Sequence, residues 1–301
     1  MKCIALAALA GLALTGSALA QISITPNGNG NANTTNGRFQ ITGVPGTPTS
    51  TPNGNATYNP TTTAAADSAF AYHWLWRVNN SAGSTQDSRE LVMSNGSGAG
   101  ANSFLTVTGD NLGNSNNGKM TFDIFNVNNG YTFLAESSYV ITNDGTGPRV
   151  LNTMKITNRD SGPLSLSLFN YCDFDLAGNA SGDTINWNGT DAFNWVDGST
   201  TAQHRALGFD AYQGTDFSTS SGSSSLRNVL FNTARNDLNN TVIVGAGDRI
   251  SGFQFDIEIP AGGMIEVYVG LGLNTTAPVP APGAIALAGL AGLAGLRRRR
   301  A

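Results

Sequence analysis

Carboxylates two residues apart on a β-strand lie on one face, and a turn after them can bring a third back to the same place. One stretch of the chain has this form: Asp173-Phe-Asp-Leu-Ala-Gly-Asn-Ala-Ser-Gly-Asp183. Asp173 and Asp175 fall on the outer face of the strand that ends here, Gly178 and Asn179 permit a sharp turn, and Asp183 returns toward the pair. Oxygen-rich loops of this kind suit Ca2+, which is the one cofactor the sequence suggests. Against an EF-hand loop the match is partial. Positions one, three and six agree, whereas Ala177 stands at five and Thr184 at twelve, where a bidentate glutamate belongs. A solvated strand end followed by a turn accounts for the same residues without a metal.

The other reactive groups are few. His73 and His204 are the only histidines and share no motif, so they do not make a zinc site. Glu90, Glu136, Glu258 and Glu266 are the only glutamates. A glycosidase needs two carboxylates across a cleft, and spacing along a β-protein cannot test for one. No nucleophile elbow, phosphate loop or dinucleotide fingerprint is present. Cys172 lies in the alternating run Leu164 to Leu176, in phase with Leu164, Leu166, Leu168, Phe174 and Leu176, and reads as an inert core thiol.

Aromatic rows offer a different chemistry, since large rings can stack on the apolar face of a sugar. Tyr72, Trp74 and Trp76 share one face of their strand, a pattern that also serves as core filling. Farther on, Asn188-Gly189 suits a two-residue hairpin turn, and pairing outward from Trp187 and Thr190 puts Trp187 and Trp195 on opposite faces. One of that pair is then exposed. Trp76 and Trp195 are the candidate ligand residues for an extracellular polysaccharide.

Positioning these residues falls to short alternating runs separated by Asn, Gly, Ser and Asp clusters. They are Phe70–Val78, Glu90–Met93, Phe104–Thr108, Met120–Val127, Tyr131–Thr142, Val150–Thr157, Leu164–Leu176, Thr184–Trp187, Ala192–Val196, Ala206–Tyr212, Thr241–Val244, Ile250–Ile259 and Met264–Leu271. Such a series predicts an all-β fold, a large antiparallel β-sandwich over residues 65–274. Apolar alternation on both sides of Pro260-Ala-Gly-Gly263 predicts a closing hairpin with one buried face. Leu226–Arg235 is the one helix candidate within the body. Residues 21–64, crowded with Asn, Gly, Thr and Pro, read as a flexible spacer or loosely packed arm in which only Arg38–Val44 resembles a strand.

The ends carry addresses. Met1-Lys2, the apolar Ile4–Leu14 and the small-residue box Ala18-Leu19-Ala20 make a secretory signal peptide over 1–20, cut by signal peptidase before Gln21. Between Gln21 and Pro280 there are 20 Asp and Glu against 11 Lys and Arg, a net charge of −9, which argues against nucleic-acid binding and for attraction of cations. With Cys172 the one cysteine left after the leader, no internal disulfide can form and stability must come from the core. At the other end stand Val279-Pro280-Ala281-Pro282-Gly283, then Ala284 to Leu296 built only of Ala, Ile, Leu and Gly, then Arg297, Arg298, Arg299 and Arg300. A helix over that apolar stretch rises about 20 Å, short of the ~30 Å hydrocarbon core, so it reads as a transient membrane anchor with its arginines on the cytoplasmic side.

This tail, residues 278–301, resembles a PEP-CTERM sorting signal in a variant with Ala281 where the usual glutamate stands. The resemblance implies that a transpeptidase-like exosortase removes the tail and passes the protein to the cell surface. The body resembles uncharacterised exported proteins of the same group through Trp74–Val78, Cys172–Leu176 and Gly252–Phe255, and no activity comes with that. Three classes follow for the body: a surface or matrix protein with a structural or adhesive role, a carbohydrate-binding module, or a polysaccharide-active enzyme. The uncharged polar composition and the missing catalytic motifs favour the first, a protein that is not an enzyme.

Overall fold

A computed structural model describes residues 22–24, 38–43, 56–59, 68–79, 89–90, 105–110, 117–127, 131–143, 147–178, 180–209, 216–221, 226, 237–243 and 245–274. The expected signal peptide, the sorting tail with its apolar helix, and the helix candidate beyond Leu226 lie outside these residues. Among the described residues no helix is long and apolar enough to cross a membrane.

The strands are β1 (Ile22–Ile24), β2 (Arg38–Gly43), β3 (Ala56–Asn59), β4 (Ala71–Val78), β5 (Arg89–Glu90), β6 (Leu105–Asp110), β7 (Asn117–Val127) and β8 (Tyr131–Asn143), followed by β9 (Pro148–Asn158), β10 (Leu164–Asp173), β11 (Thr184–Trp187), β12 (Ala192–Asp197), β13 (Thr200–Phe209), β14 (Asp216–Ser221), β15 (Arg249–Ile259) and β16 (Met264–Leu273). One 3-10 turn, Leu176–Gly178, follows β10. The fold is all-β and antiparallel. Within the expected N-terminal spacer, β1, β2 and β3 form a three-stranded sheet. The body consists of a five-stranded sheet, in the order β14-β15-β10-β4-β5, and an eight-stranded sheet, β11-β12-β13-β16-β9-β8-β7-β6.

One apolar cluster joins the two large sheets. Tyr72, Trp74, Trp76, Leu166, Leu168, Cys172, Phe253 and Phe255 of the smaller sheet meet Phe133, Ile141, Val150, Met154, Phe193, Trp195, Val269 and Leu271 of the larger. The period-two pattern of each strand puts these residues on the inner face. β10 alternates as its sequence demands, with Leu164, Leu166, Leu168 and Cys172 all inward and fully buried. The outer face of the smaller sheet is covered too, by a second cluster in which Leu226 and Leu238 pack on Ala71, Leu75, Phe169, Tyr171 and Ile250. β4 is consequently buried on both sides along its whole length.

Two buried polar connections cross the interior. Asn152 of β9 accepts at Oδ1 from the Tyr72 hydroxyl at 2.7 Å and the Trp74 indole N–H at 2.6 Å. Its amide donates to Ser137 Oγ and the Ser138 carbonyl, both at 2.9 Å, so its hydrogen-bonding capacity is used in full. His204 of β13 lies 2.7 Å from both Ser251 Oγ of β15 and Asn170 Oδ1 of β10.

Several expectations change at this level. Pro260–Gly263 does not close a hairpin: β15 pairs with β10 and β14, whereas β16 pairs with β13 and β9, so the chain crosses from one sheet to the other. Trp187 stands opposite Phe193, and Ile185 opposite Trp195, which puts both tryptophans on one face. The reason is the turn. Asn188 Oδ1 accepts the backbone N–H groups of Thr190, Asp191 and Ala192, and this holds a loop wider than the two-residue turn the dipeptide suggested. Thr241–Val244 gives only an isolated parallel bridge from Thr241 to Ser218. β14, a polar Asp-Phe-Ser-Thr-Ser-Ser edge strand, has no apolar alternation to announce it.

Candidate functional site

Trp76 and Trp195, the residues read as possible sugar platforms, are 1 % and 0 % exposed. Trp76 packs edge-on against Phe133 at 5.2 Å, and Trp195 against Phe174 at 5.0 Å. Each ring is spent on the core, where burying an aromatic of this size contributes about 4–6 kcal/mol before entropy is counted. Neither face is open to a polysaccharide.

His204 is fully buried, and desolvation pulls its pKa down to about 3. Asn170 Nδ2 donates to the His73 carbonyl, so its Oδ1 is the atom facing His204 Nε2. That ring nitrogen therefore carries the proton, and Nδ1 accepts from the Ser251 hydroxyl. His73 is 2 % exposed and packs against Tyr171 in a tilted arrangement, with ring centroids 5.4 Å apart. Cys172 is buried, and desolvation raises its thiol well above the ordinary value. On the outer face of the larger sheet Glu136 and Glu266 flank Lys155 across three strands, with Glu136 3.3 Å from the Lys155 amine.

The aspartates behave otherwise. Asp173 ends β10 opposite Ala71 and Ile250, on the outer face as its position in the run requires. That face is covered, so Asp173 is fully buried instead of solvated. Its Oδ2 lies 3.5 Å from the Tyr171 hydroxyl, and its Oδ1 has no hydrogen-bond partner among the described residues. Asp175 follows two residues later, and its carbonyl accepts the Gly178 N–H that closes the 3-10 turn. The third member of the group is Asp248, just before β15. Asp173, Asp175 and Asp248 each offer an oxygen, and the three lie within 4.8 Å of one another.

Asp248 was not foreseen from the sequence, and the sheet register explains its place. β10 and β15 pair antiparallel down to Asp173 opposite Ile250. Two further residues along each chain, the same register brings Asp175 opposite Asp248. The approach loop is shaped by Gly245 and Gly247, both at positive φ, and by Arg249, which donates to the carbonyls of Gly245 at 3.0 Å and Ala246 at 3.1 Å. Gly-Ala-Gly-Asp before an apolar strand is a turn signal, and nothing local in it names a ligand.

Asp183 sits beside the group, fully buried. Its Oδ2 accepts the Leu176 N–H at 3.3 Å, its carbonyl accepts the Gly247 N–H at 2.9 Å, and Oδ1 has no partner among the described residues. Burial pushes its pKa up to about 7, against the pull of the Leu176 N–H and with the charges of Asp175, Asp197 and Asp248 adding to the rise. Asp173 is raised well above the usual carboxylate range by burial first, then by Asp175 and Asp248, with the Tyr171 hydroxyl opposing. Negative charge has thus been collected at one end of the smaller sheet from β10, the turn after it and the loop before β15. Hard, oxygen-only donors of this kind suit Ca2+ or Mg2+ and not the thiolate- and imidazole-preferring metals.

No protein-family model matches the chain. No curated protein matches it either. Among solved structures the chain is similar to a candidate kojibiose phosphorylase from human microbiome, with a TM-score of 0.38 and 8 % sequence identity. That likeness covers 86 % of this chain and 32 % of the other, so the chain spans about a third of that protein's length.

Proposed function

We propose that the chain is an exported cell-surface or extracellular-matrix protein with a structural or adhesive role, and that it is not an enzyme. Signal peptidase acts at its leader, and an exosortase-like enzyme acts at Val279-Pro280-Ala281-Pro282-Gly283 while the apolar stretch and Arg297 to Arg300 hold it in the inner membrane. The observation that carries the reading for the body is where its versatile side chains lie. Trp76, Trp195, His73, His204 and Cys172 are each no more than 2 % exposed and serve the interior. Outside, the larger sheet presents a solvated polar row, with Thr153, Lys155 and Thr157 alternating with buried Asn152, Met154 and Ile156. Such an arrangement favours a durable scaffold over a reactive cleft, and extracellular polysaccharide is a partner its surroundings would supply.

Intact mass spectrometry of protein released from the cell surface tests the processing. The expected species begins at Gln21 and lacks Arg297 to Arg300; a retained arginine cluster would sink the sorting reading. Replacing those four arginines with serine should leave the protein trapped or misoriented at the membrane. Turnover in a screen against polysaccharides, esters and peptides would overturn the non-enzymatic role separately, whatever the state of the ends.

A further inference from the structure

We propose that Asp173, Asp175 and Asp248 bind Ca2+, and that the ion fastens the loop before β15 to the end of β10. Three observations carry this independently of how the chain is exported. The first is distance. Ca2+ holds its oxygens at about 2.3–2.6 Å, so oxygens on one ion stand up to about 5 Å apart. The oxygens of these three carboxylates lie within 4.8 Å of one another. The second is the state of Asp173. It is 0 % exposed, and its Oδ1 has no hydrogen-bond partner among the described residues. A carboxylate withdrawn from water in this way is costly unless something positive or hydrogen-bonding meets it.

The third is the sign of its surroundings. The charges bearing on Asp173 are those of Asp175, Asp248 and Asp183, all negative. Gathering like charges around the buried Asp173 raises the free energy of the bare protein, and one divalent cation among them adds an attraction to each that opposes their mutual repulsion. Mg2+ is ordinarily held by one or two carboxylates and keeps several waters, whereas Ca2+ accepts more oxygen ligands in irregular geometry. Three carboxylates, two from the end of β10 and the turn after it and one from the loop before β15, therefore favour Ca2+. Part of the site stands ready without the ion: Asp183 already holds the Gly247 N–H through its carbonyl and the Leu176 N–H through Oδ2.

The test uses the purified full-length protein, with Ca2+, Mg2+, Tb3+ and EGTA as probes. The Kd expected for Ca2+ is that of extracellular modules, about 10⁻⁴–10⁻³ M. At a tenfold excess of Ca2+ over Kd the Tm should rise by about 3–6 °C relative to EGTA, and Mg2+ at the same concentration should do less. Tyr171, whose hydroxyl lies 3.5 Å from Asp173 Oδ2, should sensitise Tb3+ emission that Ca2+ displaces. Asp248→Asn should abolish both responses. Each variant is compared in Ca2+ and in EGTA, so that a change in basal stability is read separately from loss of the Ca2+ response. Asp175→Asn, at a partly exposed position, is a second variant with the same expected outcome, and Glu258→Gln, exposed and outside the group, should respond like the parent. A Tm indifferent to millimolar Ca2+ and to EGTA would overturn the site. So would an undiminished response in both asparagine variants, or stabilisation by Mg2+ equal to that by Ca2+.

Discussion

His204 holds a place where a leucine would pack with less risk, since a buried imidazole must find two partners and stay neutral. It finds them in Ser251 and Asn170, on two strands of the opposite sheet, while Phe253 and Trp195 enclose the ring. The consequence is a pH dependence with a definite sign. In the unfolded chain the imidazole takes up a proton below about pH 6.5. In the folded chain it does so only near pH 3. Between those values the unfolded state binds the extra proton, so stability is complete above about pH 6.5 and falls as the pH is lowered. The slope from this one group reaches about 1.4 kcal/mol per pH unit. Urea unfolding followed from pH 7 to pH 4 should show that loss, and His204→Gln should make the slope shallower. Equal slopes in the two proteins would mean that the ring takes up its proton in the fold as readily as in the unfolded chain. None of this was legible from the residue type, because two histidines without a motif say nothing about what surrounds them.

At the scale of elements, two neighbouring crossings hold the sandwich together at one end. The first takes the chain from β9 to β10, the second from β15 to β16, and Asn158 connects them. Its amide lies 2.8 Å from the Gly162 carbonyl and 3.1 Å from those of Ile259 and Pro260, while its backbone N–H donates to the Gly263 carbonyl. Its Oδ1 accepts the Asp160 N–H at 2.9 Å. Asn158→Ala keeps the backbone bond but takes the amide donor away from the buried Ile259 carbonyl, whereas the Pro260 carbonyl still holds the Gly263 N–H. The expected cost is about 1–3 kcal/mol in urea unfolding, with the native far-UV spectrum kept. An unchanged midpoint would show that each crossing stands without the other. Strand positions such as β8, β9, β11 and β15 were readable because each carries a sustained alternation. β14 was not, since an edge strand of Ser and Thr buries too little to leave a pattern.

For the whole molecule, Cys172 is a built-in reporter once Cys3, the other cysteine, is replaced by serine, since Cys172 lies fully buried between the sheets. Strands from both sheets would have to part before a reagent could reach it, and burial keeps the thiol protonated and unreactive. Labelling by a thiol reagent should be negligible under native conditions, and its onset in urea should coincide with the loss of the β spectrum. Labelling that precedes that loss would reveal local opening around β10. Which side of a strand is buried was determined by the sequence alone, because period-two alternation is a local property that any partner must respect: Leu164, Leu166, Leu168 and Cys172 face inward for that reason. Alternation also placed Asp173 and Asp175 on the opposite side. It is silent about the partner. Phe253–Ile259 and Ile265–Leu271 bury one face each whether they lie side by side in a hairpin or look at each other across a sandwich, and only the tertiary structure decided for the crossing. The same holds for the aspartates. Asp175 meets Asp248 through the pairing of β10 with β15, a contact whose entropy cost is met by the apolar residues the two strands bury together, and no residue near either aspartate records it.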